Sequence, residues 1–214
     1  MPRISKNPHE RRNEILDTAE SLFQKFGYQK TSTIDIAKTM KVAQGTLYYY
    51  FDSKDALANA LIERQLDGIL KQFDQVAHAP DLSAYQKIAW VIVFELDDPT
   101  GHVEVFRYLQ HDDNAALRQK LYIQTICNFT PLITAIVIQG IREKRFAAAN
   151  PSLVAEFFLS TIHHWVDPAL FKWTKQERIK RITAIQPIFE NLFGVEPGSF
   201  DIETLREACK TIPI

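Results

Sequence analysis

Glycine is scarce in this chain, with 7 residues among 214, while helix-forming apolar patterns run long; together these point to an all-α protein. Cysteine is scarcer still. Cys127 and Cys209 lie far apart and form no C-x-x-C unit, which excludes a disulfide framework and a cysteine-built structural zinc site. Uninterrupted apolar runs are short: Ile88–Phe94 covers seven residues, whereas a spanning helix needs about twenty. The opening MPRISKNPHERR has no apolar h-region, so no signal peptide is expected. These absences lead to the expectation of a cytoplasmic, reduced, soluble protein with no membrane partner. Charge of one sign is lacking too. The net charge of −1 excludes wrapping DNA by bulk charge alone. Residues 1–55 carry nine basic against seven acidic side chains and the remainder is net −3, a modest asymmetry. No repeat or low-complexity segment interrupts the chain.

What is present is ordinary globular material, 46% apolar and 24% charged, in a chain long enough for one large or two small domains. Ile15, Leu16, Ala19, Leu22, Phe23 and Phe26 recur at helical spacing and predict a helix over 9–26, closed by Gly27. A second helix begins after Ser32 or Thr33 and is expected to bury Ile34, Ala37 and Met40. Lys41-Val42-Ala43 reads as a turn, and a third helix follows over 44–51. Ser53 caps a long helix to about Val76, with Asp55 suiting its dipole and Leu57, Leu61, Leu66 and Phe73 inside. Beyond Pro80 the pattern is a helical bundle over 82–96, 102–110, 114–144, 151–166, 175–193 and a short last helix after Asp201. Pro131 lies inside the longest of these, where an internal proline costs about 3 kcal/mol, so a bend or break is expected there. The expected division is a DNA-binding domain over 1–55 and an effector-binding and dimerisation domain over 56–214.

The stretch from Thr33 to Lys54 carries the chemistry. Tyr48, Tyr49, Tyr50 and Phe51 are consecutive, so they must spread round a helix rather than share one buried stripe. Their rings could lie in a seam between subdomains, or face a partner. Two short helices with a tight turn match a helix-turn-helix, whose second helix presents small and polar residues to base edges. Gln44 can pair with adenine, the Thr46 methyl with thymine, and Gly45 allows close backbone approach. Thr33, the tyrosine hydroxyls and the Lys54 ammonium suit phosphates, although Thr33 is also explained by helix capping alone.

LFQKFGYQKTS followed by TIDIAKTMKVAQGTLYYYFDSKDAL resembles the N-terminal DNA-binding domain of the TetR family of transcriptional regulators, over about residues 9–60. The resemblance implies an N-terminal three-helix head and a C-terminal helical bundle for ligand binding and dimerisation. It implies a homodimer that grips a double-stranded, pseudo-palindromic operator, most simply as a repressor. The matching DNA contacts are Thr33, Gln44, Gly45, Thr46, Tyr48, Tyr49, Tyr50 and Lys54; the family often carries His where Tyr50 stands, which leaves base preference there open. It also implies a dimer interface on the last two long helices. Here those offer Leu153, Phe157, Thr161 and His164, then Ile179, Ile182, Ile185 and Phe189, stripes that could equally be intrachain core.

In such regulators an effector binds inside the bundle and the long helix after Ser53 transmits the change. The chain supplies Trp90, Phe94, Phe106, Tyr122, Phe129 and Phe158 as apolar lining, and Thr125, Asn128 and His163 as interior polar candidates beside the Pro131 bend. A small apolar or aromatic effector is expected, with no cofactor. His102, Glu104, His111, Asp112 and Asp113 cluster in sequence, and His163 and His164 are adjacent. No H-E-x-x-H, nucleophile elbow or phosphate-binding glycine loop accompanies them, so neither catalytic nor metal residues are assigned. An activator, or a helical small-molecule carrier, uses the same features and stands as the alternative.

Overall fold

The computed structural model describes residues 7–97, 109, 112–166, 171 and 173–209, and every long element among them is an α-helix. They are α1 (Pro8–Phe26), α2 (Thr33–Thr39), α3 (Gln44–Tyr50), α4 (Lys54–His78), α5 (Ala84–Asp97), α6 (Ala115–Arg142), α7 (Pro151–Val166), α8 (Lys175–Phe193) and α9 (Ile202–Cys209). A 3-10 turn at Asp112–Asn114 leads into α6. The helix expected over 102–110 lies outside the described residues except for Leu109, and Phe106, His102, Glu104 and His111 lie outside them too. The chain forms two compact units: Met1–Leu66 with Phe106–Gln124, and Asp67–Val105 with Thr125–Ile214. Both α4 and α6 supply residues to each.

In the first unit α1 starts at Asn7, whose side chain accepts from the His9 N–H, with Pro8 where a missing N–H costs nothing. Ile15, Leu16, Ala19 and Phe23 form its buried stripe, but Phe26 is 49% exposed. Gly27 then takes φ +89°, and a Cβ there would stand 2.4 Å from the Asp113 Cβ, so both backbone and space demand glycine. The cap of α2 is Ser32, in a reciprocal box with Asp35, and Thr33 is the first helical residue. The expectation that Ile34 is core fails: Ile36 and Ala37 are buried and Ile34 is 46% exposed. Two residues correspond to about 200° of helix, so burying Ile36 turns Ile34 outward. Leu47 of α3 and Phe51 complete the core with Leu57, Leu61 and Ile62 of α4.

In the second unit α9 and α8 pack on α5, and α7 packs on both α5 and α8. Among the described residues its core has two aromatic groups. Phe73 meets Trp90, Phe94 and Phe129 edge-on, at centroid distances of 4.9, 5.1 and 4.6 Å. Phe158 meets Phe189 and Phe193 at 5.0 and 5.3 Å, and Phe193 also meets Phe146 and Phe200. Such pairs contribute about 0.5–1.5 kcal/mol beyond burial. Gly140 lies under the Phe146 ring, where a Cβ would approach to 2.1 Å. The buried Lys87 ammonium donates to Ala77 O and Gln139 Oε1, both at 2.7 Å, and burial lowers its pKa.

No break occurs at Pro131: α6 is one helix from Ala115 to Arg142. The proline's cost of about 3 kcal/mol is met by neighbours such as Phe129, Ile133 and Val137, each contributing about 1.5–3 kcal/mol when buried. By length and composition alone the segment Asp112–Arg142 suffices to cross a membrane, although its unbroken apolar runs are short. Scattered polar residues such as Thr125 and Thr130 shorten its runs without lowering its average much. Core helices share this property, and Leu117, Thr125, Phe129, Ile133, Ile136 and Val137 of α6 are buried.

Exposed carboxylates cap three helices and hold their pKa values below the ordinary range. Asp35 accepts from Ser32, Glu177 from Thr174, and Asp201 from Thr204. A carboxylate depressed on folding contributes stability above its unfolded pKa, about 4, and that contribution disappears as pH falls through the folded value. The melting temperature followed by circular dichroism is therefore expected to hold from neutral pH to about 5 and to fall below about 4. Glu177→Gln should flatten part of that acid slope.

Candidate nucleic-acid interface

Helix α3 is held by one anchor, Leu47, which is buried, and by Phe51 just beyond its end. Everything else it carries is turned outward or half-buried. Gln44 and Gly45 are exposed, Thr46 and Tyr50 are half-buried, and Tyr48 and Tyr49 are 47% and 79% exposed. Among the described residues, the one ring contact of Tyr49 is an edge-on contact with Tyr50 at 5.0 Å. Two aromatic rings left in solvent beside an amide, a glycine and a hydroxyl form a surface suited to bases and sugar-phosphate rather than to a core.

The Tyr48 hydroxyl lies 3.5 Å from Thr33 Oγ1, at the rim of a recess of about 380 Å³. Gln29, Thr31, Ser32, Thr33, Tyr48 and Ser53 are among its lining, with Lys54. The structure thus brings three of the expected contacts, Thr33, Tyr48 and Lys54, to one place. Gln29, Ser32 and Ser53 join them without having been singled out for this surface; hydroxyls at two successive helix starts were the available signal.

Lys54 has a second task. Its ammonium donates to Tyr28 O at 2.9 Å and Thr31 O at 3.1 Å and lies 4.2 Å from the Tyr28 ring centroid. Burial lowers its pKa. Two of three donors are therefore committed within the chain, where a free phosphate clamp was expected. The same loop is held from the other side. Asn114 is 2% exposed; its Oδ1 accepts from the Tyr28 N–H at 2.6 Å and its Nδ2 donates to Phe23 O at 3.4 Å. The Gln29 N–H donates to Asp113 O at 3.3 Å, and Lys30 pairs with Asp113 at 2.7 Å. The Tyr28 hydroxyl donates to Asp55, which Lys120 approaches to 3.5 Å. Burial first, then that hydrogen bond, raises the phenol well above its usual range, while the same bond lowers Asp55.

Gly45 has no internal reason to be glycine. Its φ is not positive, and a Cβ there would meet nothing within 4 Å. Gly45→Ala is therefore expected to raise stability by about 0.5–1 kcal/mol through helix propensity. If α3 is the groove-reading helix, DNA affinity should fall in the same variant, because a methyl then stands where the backbone must come close to a base edge. Urea titration and fluorescence anisotropy on one sample separate the two effects; unchanged DNA affinity would remove Gly45 from the interface.

The effector and dimer candidates divide. Trp90, Phe94 and Phe129 gather round Phe73, whereas Phe158 belongs to the other aromatic group. Thr125 is buried as expected. His163 is half-buried, its Nδ1 3.5 Å from Glu95 Oε2. Asn128 is exposed, against the interior position expected, because the buried line of α6 runs through Thr125, Phe129 and Ile133 and turns its neighbour outward. Tyr122 is half-buried and belongs to the first unit. Leu153, Phe157 and His164 are exposed along one line of α7, with Thr161 half-buried between them. On α8 the expected stripe faces inward. Ile182, Ile185 and Phe189 are buried in their own unit and Ile179 is half-buried, while Ala184, Pro187 and Ile188 are exposed. Among the described residues no three His, Cys, Asp or Glu side chains group as metal ligands.

Residues 15–61 match the model of the bacterial regulatory proteins of the tetR family, and residues 102–188 match a tetracyclin repressor-like C-terminal domain. The HTH-type transcriptional regulator YfiR of Bacillus subtilis is 24% identical over 180 residues, covering 79% of this chain and 85% of YfiR. The HTH-type transcriptional repressor KstR2 of Rhodococcus jostii is 33% identical over 66 residues, which cover 31% of this chain and 32% of KstR2. Among solved structures, the regulator FadR of Bacillus subtilis in complex with stearoyl-CoA superimposes with a TM-score of 0.56 at 21% identity. That match covers 86% of this chain and 99% of FadR, and at such identity it shows the shared fold.

Proposed function

This chain belongs to the TetR family of bacterial regulatory proteins, and from that membership we propose that it represses transcription as a homodimer released from its operator by a small-molecule effector whose buried part is apolar or aromatic. It is a helix-turn-helix DNA-binding transcriptional regulator. The observation that carries the reading is the outward face of α3, where Gln44, Gly45, Tyr48 and Tyr49 lie in solvent over a single buried Leu47. Two such helices, about 34 Å apart in a two-fold dimer, enter successive major grooves of a pseudo-palindrome. The Leu153–Phe157–His164 line of α7 and the Ala184–Pro187–Ile188 face of α8 supply the apolar surface for that dimer.

The effector site is assigned to the second unit, around the Phe73, Trp90, Phe94 and Phe129 rings, with the His163–Glu95 pair as a polar end. Stearoyl-CoA, bound by the FadR of Bacillus subtilis, joins a long apolar chain to a polar carrier and is the first compound to test. Release requires that the effector prefer the conformation DNA does not, and DNA must then weaken effector binding by the same factor. Asp113 and Asn114, at the head of α6, hold the α1–α2 loop beside the recess, so a shift of α6 disturbs the DNA-facing side of the first unit. The protein works as a regulator in the cytoplasm, with no catalytic step or cofactor of its own.

Selection of bound fragments from genomic DNA, followed by anisotropy on the selected duplex, tests this reading. A palindromic preference is expected, weakened by Gln44→Ala and Tyr48→Phe at matched salt, and stearoyl-CoA should lower DNA affinity. Binding without sequence preference would refute operator recognition. Stearoyl-CoA that binds and leaves DNA affinity unchanged would refute the coupling, and a reporter that falls silent on deleting the gene would favour activation.

A further inference from the structure

Two large side chains of the first unit that the apolar pattern assigned to its core, Phe26 and Ile34, are exposed; Phe26 lines a groove of about 450 Å³, and Ile34 immediately precedes Asp35, which also lines it. Leu22, Phe26, Lys30, Thr31, Asp35 and Lys38 are among its lining, and no residue of α3 takes part. Leu22 and Phe26 make an apolar floor. The groove's charges are mostly positive and partly committed. Lys30 pairs with Asp113, and the Asp35 carboxylate accepts from the Ser32 backbone and hydroxyl. Lys38 lies one turn beyond Ile34 on α2, and the Lys25 ammonium stands 4.9 Å from the Phe26 ring centroid. Neither Lys25 nor Lys38 forms an ion pair with a described residue, although Lys38 is close enough to Asp35 to help lower its pKa, so an apolar trough is left with two cations and one capped carboxylate at its edge.

We propose that this groove docks an acidic amphipathic segment of a partner protein, whose Leu or Phe side chains cover Leu22, Phe26 and Ile34 while its carboxylates meet Lys25 and Lys38. Apolar anchors in a pocket with a charged rim are how helices dock in grooves. Charge decides among the occupants. A second copy offering the same face would set Lys25 and Lys38 against their own counterparts, a like-charge contact that disfavours self-pairing. A phosphate backbone would pair with the lysines but leave Phe26 and Ile34 against charged oxygens, where burial gains nothing. No residue of α3 lines the groove, although Lys30 and Thr31 line both it and the recess beside Tyr48, so DNA affinity is read alongside peptide binding.

The probe is a fluorescein-labelled peptide of about twelve residues, with Leu and Phe at helical spacing and Glu between them, titrated into the full-length protein by anisotropy. A control peptide carries Lys in place of every Glu. The acidic peptide is expected to bind, the control is not, and rising salt should weaken the complex. Phe26→Gln and Lys38→Glu should each weaken it by at least about tenfold, with melting temperature and affinity for a selected DNA duplex unchanged. If Phe26→Gln lowers the melting temperature, Ile34→Gln replaces it as the apolar variant. Absent binding, equal binding of the two peptides, or indifference to the variants overturns the proposal. Two further results overturn it by naming another occupant: a loss of DNA affinity in Ile34→Gln assigns the face to DNA, and a higher oligomer dissolved by Ile34→Gln assigns it to a second copy.

Discussion

Ile182→Asp unfolds the second unit, while Phe157→Asp leaves it folded and converts the proposed dimer to monomer. Ile182 is 3% exposed, on the α8 face shared with Ile185 and Phe189. Removing the isoleucine forfeits about 2–4 kcal/mol of burial and packing. Burying a carboxylate without a cationic partner adds several kcal/mol more, whether it stays ionised or takes up a proton. Set against the roughly 5–15 kcal/mol that holds a domain together, that total leaves little folded protein. Phe157 is exposed in the single chain, so an aspartate there stays solvated in the monomer and suffers only in a dimer that buries it. Urea unfolding and sedimentation equilibrium on the two variants read the difference. A folded monomeric Ile182→Asp would restore the inward stripe of α8 to the interface. A dimeric Phe157→Asp would remove α7 from it.

Asn114→Ala is expected to cost about 2 kcal/mol and to weaken DNA binding, although Asn114 is far in sequence from α3. The cost follows from the buried Tyr28 N–H losing the carbonyl oxygen it reaches at 2.6 Å, since an orphaned buried donor costs about 1–3 kcal/mol. Phe23 O loses a weaker bond in the same step. The functional effect follows from place: Tyr28 begins the loop whose next residues, Gln29 to Thr33, line the recess beside Tyr48. Hydrogen exchange at the Tyr28 amide should speed up markedly, while Leu47 and Phe51 stay protected. If exchange at Tyr28 is unchanged, Asn114 does not hold the loop. If exchange rises and DNA affinity does not fall, the loop takes no part in binding.

Local chemistry made the head legible. Capping residues such as Ser32 and Ser53, the stop at Gly27 and the turn at Lys41-Val42-Ala43 depend on neighbours a few residues away, so they can be read along the chain. The outward tyrosines were legible for the same reason, because consecutive rings cannot share one helix face. Orientation of short helices was not. In the seven residues of α2, Ile34 and Ile36 are equal candidates for the core, and only packing against α1 and α3 selects Ile36. Residues with two competing uses were hidden as well. Lys54 has the position and charge of a phosphate contact, yet it holds two carbonyls of the α1–α2 loop.

The sequence by itself determined that this protein is helical, where most helices begin and end, and that residues 33–54 carry two short helices joined by a tight turn. It did so because hydrophobic period, caps and turn residues act over short range. Tertiary structure alone decided which apolar stripes are core and which are free. It turned Ile182, Ile185 and Phe189 inward and left Leu153, Phe157, Ile188, Phe26 and Ile34 outside. It also brought Asn114 to Tyr28, across 86 positions of chain. An apolar stripe has the same pattern whether it is covered by its own chain or by another molecule, and only the packed neighbours tell the two apart.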